Sequence, residues 1–277
     1  MHFNFDRIAH GYDNYAVLQR EIADRLMDRF LFFREPPKRI LEIACATGYL
    51  TEKLSLHYPD AAITAIDISD AMIHIAAHKH LKNVNFMVQD IFESAFKAGQ
   101  FDAIVFNLFP CDHADLPRLL ERCFAWLSVD GVLMFSTYGV DTLKEMRAAF
   151  AAVDDHAHVN EYVDMHLIGD LLLKIGFYQP VMNAEWVTLT YRSLQTFWED
   201  LRGIGSRLFD DRKRLGLLTP RQFKIVEATY DGLRVDGLYP ATYEITYGMA
   251  FKSGEQAMKD GVVRVPVEAI PISRSSL

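Results

Sequence analysis

The chain has 277 residues, half of them apolar and 12% aromatic, enough to bury a substantial core. No apolar run reaches the roughly 18 residues that would span a membrane, and a formal charge of −8 argues against non-specific nucleic-acid binding. Cys45, Cys111 and Cys123 are odd in number and lack zinc-like Cys/His spacing, and the N-terminus has no basic segment leading into an apolar core. They read as reduced thiols of a cytoplasmic protein, with no metal expected.

Residues Asp6–Phe30 are expected to be helical, with Val17/Leu18, Ile22, Leu26 and Phe30 on one stripe and Arg20, Glu21, Asp24, Arg25 and Asp28 around the rest. Pro36-Pro37 ends that region. An apolar run, Ile40, Leu41 and Ile43, reads as a buried parallel strand, and a helix follows over Thr51–His57. Strand Ala62–Asp67, helix Ala71–His80 and strand Val84–Gln89 continue the alternation. Phe101–Phe106 has the unbroken apolarity of a central strand, and helix Leu116–Leu127 leads through Asp130-Gly131 into strand Val132–Ser136. Later come a helix over Met165–Ile175 ending at Gly176, a strand near Trp186–Tyr191, and a closing strand over Thr242–Phe251. This order predicts an α/β fold with a doubly wound sheet. Residues 194–237 interrupt it as a helical insertion, and 253–277 read as a loosely held tail.

The most informative stretch joins the first strand to the second. Between Ile43 and Tyr49 lies a tight small-residue turn, Ala44-Cys45-Ala46-Thr47-Gly48, and the next strand ends in an acid, Asp67, nineteen positions after Gly48. Strand, turn, helix and strand-ending carboxylate form the nucleotide-binding half of an α/β fold, in which the acid bonds a ribose diol. A pyrophosphate cradle needs several glycines at the helix N-terminus, and only Gly48 is present. Glu42, just before the turn, is placed to meet a cationic group. A nucleoside bearing an amino acid, S-adenosylmethionine, fits these parts better than a dinucleotide.

The chain resembles the class I S-adenosylmethionine-dependent methyltransferases. The class is carried by Glu42–Gly48, Asp67, Gln89-Asp90-Ile91 and the FDAIVFN of Phe101–Asn107. Longer outer segments resemble the malonyl-acyl-carrier-protein O-methyltransferases of biotin synthesis. These are Phe5–Gln19 (FDRIAHGYDNYAVLQ), Phe135–Leu172, Gly176–Met182, Leu189–Ser206 (LTYRSLQTFWEDLRGIGS) and Pro240–Gly248 (PATYEITYG). The resemblance implies one methyltransferase domain over 1–252, with a helical cap over 1–35. Its Rossmann-like sheet would be mostly parallel with an antiparallel final strand. The implied reaction is methyl transfer to the free carboxylate of malonyl held on acyl carrier protein, or of malonyl-coenzyme A, by a cytoplasmic enzyme expected to be a monomer. One departure stands out: the family turn reads acid-x-Gly-x-Gly-x-Gly, and here the first two glycines are Ala44 and Ala46. Alanine resists positive φ, so weakened cofactor affinity or a shifted turn is expected.

The resemblance assigns Glu42, Ala44, Ala46, Gly48, Asp67, Ile68, Asp90, Ile91 and Asn107 to the cofactor. Asp67 would accept from both ribose hydroxyls; its other reading, a helix N-cap, suits Asp70 better. Asp90 would meet the adenine amino group, with Ile91 on the ring. Glu42 would face the methionyl ammonium, or else serve as a structural acid for Lys38 or Arg39. Asn107, Tyr12 and Tyr15 would line the methyl-transfer site, although Tyr15 is equally readable as core. Arg202, in LRGIG, is the expected partner of the substrate carboxylate, because Gly203 and Gly205 suggest close approach of a ligand; Arg192 is its competitor. His156 and His158 are not expected to bind metal or act as bases, since the carboxylate is already ionised at neutral pH. Seven basic residues of the window Arg202–Lys224 face two acidic ones, Asp210 and Asp211, marking a docking surface for an acidic carrier protein. Two alternatives remain open at this point: a methyltransferase for another small carboxylic acid, and a cofactor-binding assembly factor that transfers no methyl.

Overall fold

The computed structural model describes residues 5–29, 36–109, 115–206, 208 and 218–252. Two 3-10 turns, Phe5–Arg7 and Ala9–Gly11, lead into α1 (Tyr12–Tyr15) and α2 (Val17–Arg29). The continuous helix expected over 6–30 is therefore divided. It breaks at Ala16, whose ψ of 39° leaves the helical region while its N–H still bonds Tyr12 O. Beyond the break Leu18, Ile22 and Leu26 are buried, whereas Val17 is 55% exposed.

The alternating core follows as β1 (Arg39–Ile43), α3 (Tyr49–His57), β2 (Ala62–Asp67), α4 (Asp70–Ala77), β3 (Val84–Val88), β4 (Phe101–Asn107), α5 (Asp115–Trp126) and β5 (Leu127–Tyr138). Then come α6 (Lys144–Ala151), α7 (Met165–Ile175), β6 (Phe177–Tyr191), α8 (Leu194–Gly203), α9 (Pro220–Asp231) and β7 (Tyr239–Lys252). The seven strands form one sheet in the order β3-β2-β1-β4-β5-β7-β6. Neighbouring strands from β3 to β5 pair in parallel, and β7 runs antiparallel to both β5 and β6. This is the expected mostly parallel sheet with an antiparallel last strand.

Strand alternation sends neighbouring β1 side chains to opposite faces. Ile40 joins a core with α2, α3 and α9, while Leu41 and Ile43 join one with α5 and α7. The strand order reverses between β1 and β4, so the carboxyl ends of these two strands open a crevice where such sheets hold ligands.

Three elements differ from expectation. β5 starts at Leu127, and Asp130 (φ 62°) forms an irregularity inside the strand where its register with β4 shifts. β6 is 15 residues long because it pairs with β7 along nearly its whole length. α6 carries no sequence prediction. The tail at 253–277 lies outside the described residues, as do Arg207, Arg212, Lys213 and Arg214 of the basic window.

Candidate active site

At the carboxyl end of β1 the turn adopts the conformation that its alanines disfavour. Ala44 has φ 56° and Ala46 φ 47°, both left-handed, and Gly48 follows at φ 78°. The turn has not shifted to relieve the alanines. A Cβ on Gly48 would meet the Ala76 Cβ at 3.0 Å, so α4 also needs glycine there.

Asp67, at the end of β2, closes this turn. One carboxylate oxygen accepts from Ala46 N and the other from Ser69 N, both at 2.9 Å. Burial raises its pKa, against the pull of the backbone donors at Ser69 and Ala46. The cap of α4 is Ser69, whose hydroxyl accepts from Met72 N; Asp70 does not fill that role. The expected reading of Asp70 as the better-placed cap is thus corrected.

Glu42 is fully enclosed, and its Oε2 has no hydrogen-bond partner. Burial pushes its carboxyl up to about 8, with the Thr51 hydroxyl opposing and the charge of Asp67 adding to the rise. It does not pair with Arg39, which instead forms an ion pair with Asp102 at 2.6 Å. Asn107, ending β4, is clamped from two sides: its amide donates to Gln19 O at 2.8 Å, and its carbonyl accepts from the Ser136 hydroxyl at 2.7 Å. Asp90 accepts from Phe92 N at 2.8 Å, shaping the loop after β3, and Ile91 is buried beside it.

A cavity of about 650 Å³ joins these parts. Glu42, Ala44, Ala46, Asp67, Ile68, Asp90, Ile91, Asn107 and Tyr12 all line it; Gly48 does not, and acts through the turn's shape. Tyr15 and Arg202 are corrections to the expected lining. Tyr15 is 37% exposed, and its ring covers Gly203 so closely that a Cβ there would fall inside it. The close approach foreseen at Gly203 is thus made by the chain's own tyrosine. Arg202 is exposed on α8, while Leu201 on that helix and Ile204, Gly205 and Ser206 just past its end line the cavity in its place; Arg192 is exposed as well.

Sequence reading missed the other wall. Ala16, Gln19, Arg20 and Ala23 line the cavity at helical spacing after Tyr12, and the period was visible in the sequence. Tyr138, Asn160, Tyr162 and Tyr243 come from distant segments and had no local signal. The Tyr138 ring lies 5.3 Å from Tyr162 and 6.1 Å from Tyr243. Burial, then the charges of Asp67 and Asp13, hold the Tyr12 hydroxyl far above the usual tyrosine range, so it remains a proton donor.

Comparison with known proteins fits this geometry. The family described as "Methyltransferase domain" matches residues 15–179. A malonyl-[acyl-carrier protein] O-methyltransferase of Laribacter hongkongensis is 37% identical over 260 residues, covering 90% of this chain and 87% of that protein. One from Gallionella capsiferriformans is 35% identical, covering 93% and 91% respectively. The chain belongs to the malonyl-[acyl-carrier protein] O-methyltransferase family. Among solved structures, a putative methyltransferase from Bacillus halodurans superposes with a TM-score of 0.59 at 13% identity, covering 84% of this chain and 99% of that one. The Haemonchus contortus phosphoethanolamine N-methyltransferase 2, in complex with S-adenosylhomocysteine, gives 0.55 at 16% identity, covering 90% and 58%. These last two place the family's sheet among methyltransferase folds.

Proposed function

We propose that this enzyme transfers the methyl group of S-adenosylmethionine to the free carboxylate of malonyl carried on acyl carrier protein, the first disguise of a chain destined for pimelate and biotin. The observation that carries the reading is the single cavity joining the Ala44–Gly48 turn and Asp67 to Asn107 and Tyr12. Similarity at 35–37% identity over nine-tenths of the chain to the malonyl-[acyl-carrier protein] enzymes supports this substrate over another small carboxylic acid, and over a role without transfer.

The cofactor supplies an electrophilic methyl on a positively charged sulfur. The chain's residues fit it. Asp67 has two oxygens already anchored by backbone donors and retains lone pairs for a ribose diol. Glu42 Oε2, buried and unpartnered, suits the methionyl ammonium. Asp90 and Ile91 offer an acceptor and an apolar surface to adenine.

No residue need act as a base, because a malonyl carboxylate is ionised at neutral pH. The protein's contribution is alignment in a water-poor cleft, where orientation alone is worth many orders of magnitude in effective concentration. Asn107, held by Gln19 and Ser136, and Tyr12, held protonated, are the rigid polar groups there.

The basic window Arg202–Lys224 is proposed as the carrier's docking surface, since a protein of charge −8 must gather positive charge locally to attract an acidic partner. The enzyme should convert malonyl-carrier protein and S-adenosylmethionine to the malonyl methyl ester, detected by mass spectrometry. Absence of product from a folded, cofactor-binding protein would refute the reading. Changing Arg212, Lys213 and Arg214 together to glutamate should raise KM for the carrier substrate in a salt-sensitive way and spare malonyl-coenzyme A. Equal losses with both thioesters would remove this surface.

A further inference from the structure

The cavity is strongly asymmetric in charge. Asp13, Glu42, Asp67, Asp90 and Asp115 all line it, which suits a ligand carrying a sulfonium and an ammonium. A carboxylate substrate entering the same space needs a cation, and among the described lining residues only one is a lysine, arginine or histidine: Arg20.

Arg20 sits on the first turn of α2, just past the break at Ala16, and is half-buried. Three other arginines are held by carboxylates. Arg25 pairs with Glu21 and Glu185, Arg39 with Asp102, and Arg234 with Asp231. Arg20 has no carboxylate within ion-pair distance among the described residues, although five carboxylates share its cavity. Its neighbour in sequence, Gln19, accepts from Asn107 through its carbonyl, which ties this part of α2 to the end of β4. Tyr12, eight residues before it, lines the same cavity as Arg20 and Asp67. Arg20 therefore shares one cavity with Asp67, Asn107 and Tyr12.

We propose that Arg20 receives the substrate carboxylate and holds it toward the methyl donor. The assignment rests on the malonyl reading above and gives it a specificity determinant that Arg202 and Arg192, both outside the cavity lining, do not supply. A guanidinium matches a carboxylate with paired donors in one plane. Bound there through one oxygen or both, the carboxylate keeps lone pairs for attack. The bond formed is oxygen to methyl carbon and the bond broken is methyl carbon to sulfur, whose electron pair stays on the departing thioether.

The test compares malonyl-coenzyme A with acetyl-coenzyme A, which lacks the carboxylate. Binding is measured by calorimetry with S-adenosylhomocysteine present. Wild type should prefer malonyl by about 10- to 100-fold, the worth of a hydrogen-bonded charge. In Arg20→Gln the preference should collapse to within about threefold, while S-adenosylhomocysteine affinity changes less than about threefold. Arg20→Met, which keeps the apolar stem, replaces the glutamine variant if that one fails to fold. An undiminished preference in either variant overturns the assignment. So does a wild type that does not prefer malonyl, or a collapse produced by Arg202→Gln instead. Turnover of malonyl thioester by wild type is scored separately. If turnover is absent while the Arg20-dependent preference persists, the transfer reading fails and Arg20 remains the carboxylate site.

Discussion

The hydroxyl of Thr47, inside the Ala44–Gly48 turn, donates a 2.6 Å hydrogen bond to Asp13 on α1. A parallel tie runs from the Ser69 hydroxyl and Ala71 N, at the start of α4, to Asp6 at 2.5 and 3.1 Å. Through these two carboxylates the N-terminal segment is fastened across the carboxyl ends of β1 and β2, roofing the cavity. The segment is thus held by the turn after β1 and by the start of α4.

Thr47→Val keeps the shape of this buried side chain and removes the tie. S-adenosylmethionine affinity should fall by about 3- to 10-fold, the net worth of one hydrogen bond of this kind, with the fold intact. Calorimetry on the two proteins decides it, and an unchanged dissociation constant would show that the roof contributes nothing to retention.

Asp67→Ala should weaken S-adenosylmethionine binding by roughly 1.5–3 kcal/mol, the range for hydrogen bonds to a charged group. It should also lower thermal stability, since Ala46 N and Ser69 N lose their acceptor. Full cofactor affinity in this variant would remove the ribose assignment.

Ala46→Gly should stabilise the protein slightly. A left-handed alanine costs about 1–2 kcal/mol, and glycine returns about 0.4–1 kcal/mol of that through the freer unfolded chain. The difference corresponds to a rise of about 1–2 °C in Tm. Cofactor affinity should hold or tighten. A lower Tm would mean that the Ala46 methyl packs in a way that outweighs its strained φ.

The protonation of Glu42 makes a signed prediction. Its folded pKa of about 8 lies above the ordinary 4.5, so the folded state retains a proton that the unfolded chain releases. The contribution is fully present below pH 4.5 and is lost as pH rises to about 8. In the absence of cofactor, the Tm of Glu42→Gln should therefore gain on wild type steadily across that window. A constant difference between the two curves would mean that Glu42 is already ionised in the free enzyme.

Changing His156 and His158 together to glutamine should spare kcat. Both reach Asp154, and His158 stacks on Phe150 at 4.1 Å, in a part of the chain that does not line the cavity. Some stability can be lost with the stacking, so turnover is compared at equal folded fraction. A fall of about a hundredfold or more, the size of a lost general base, would overturn base-free transfer.

Local pattern alone determined the alternation of strands and helices and the turn that opens on the cavity. A buried apolar strand, a five-residue turn and a strand-ending acid lie within some thirty positions, so Glu42, the turn and Asp67 were legible from neighbours in sequence, though not the left-handed φ of its alanines. Arg202 was misplaced because its local pattern, a glycine beside an arginine, is compatible with either a ligand or a protein ring approaching the backbone, and the segment around Tyr15 could equally place that ring on the site or in the core. Only packing α1 against α8 decided that Tyr15 takes the space. Tertiary structure alone also gathered Tyr138, Asn160, Tyr162 and Tyr243, and set Arg20 as the lone cation among the described lining residues. A helix's polar face is fixed by periodicity, but whether it meets solvent or a cavity depends on what the rest of the chain leaves open beside it.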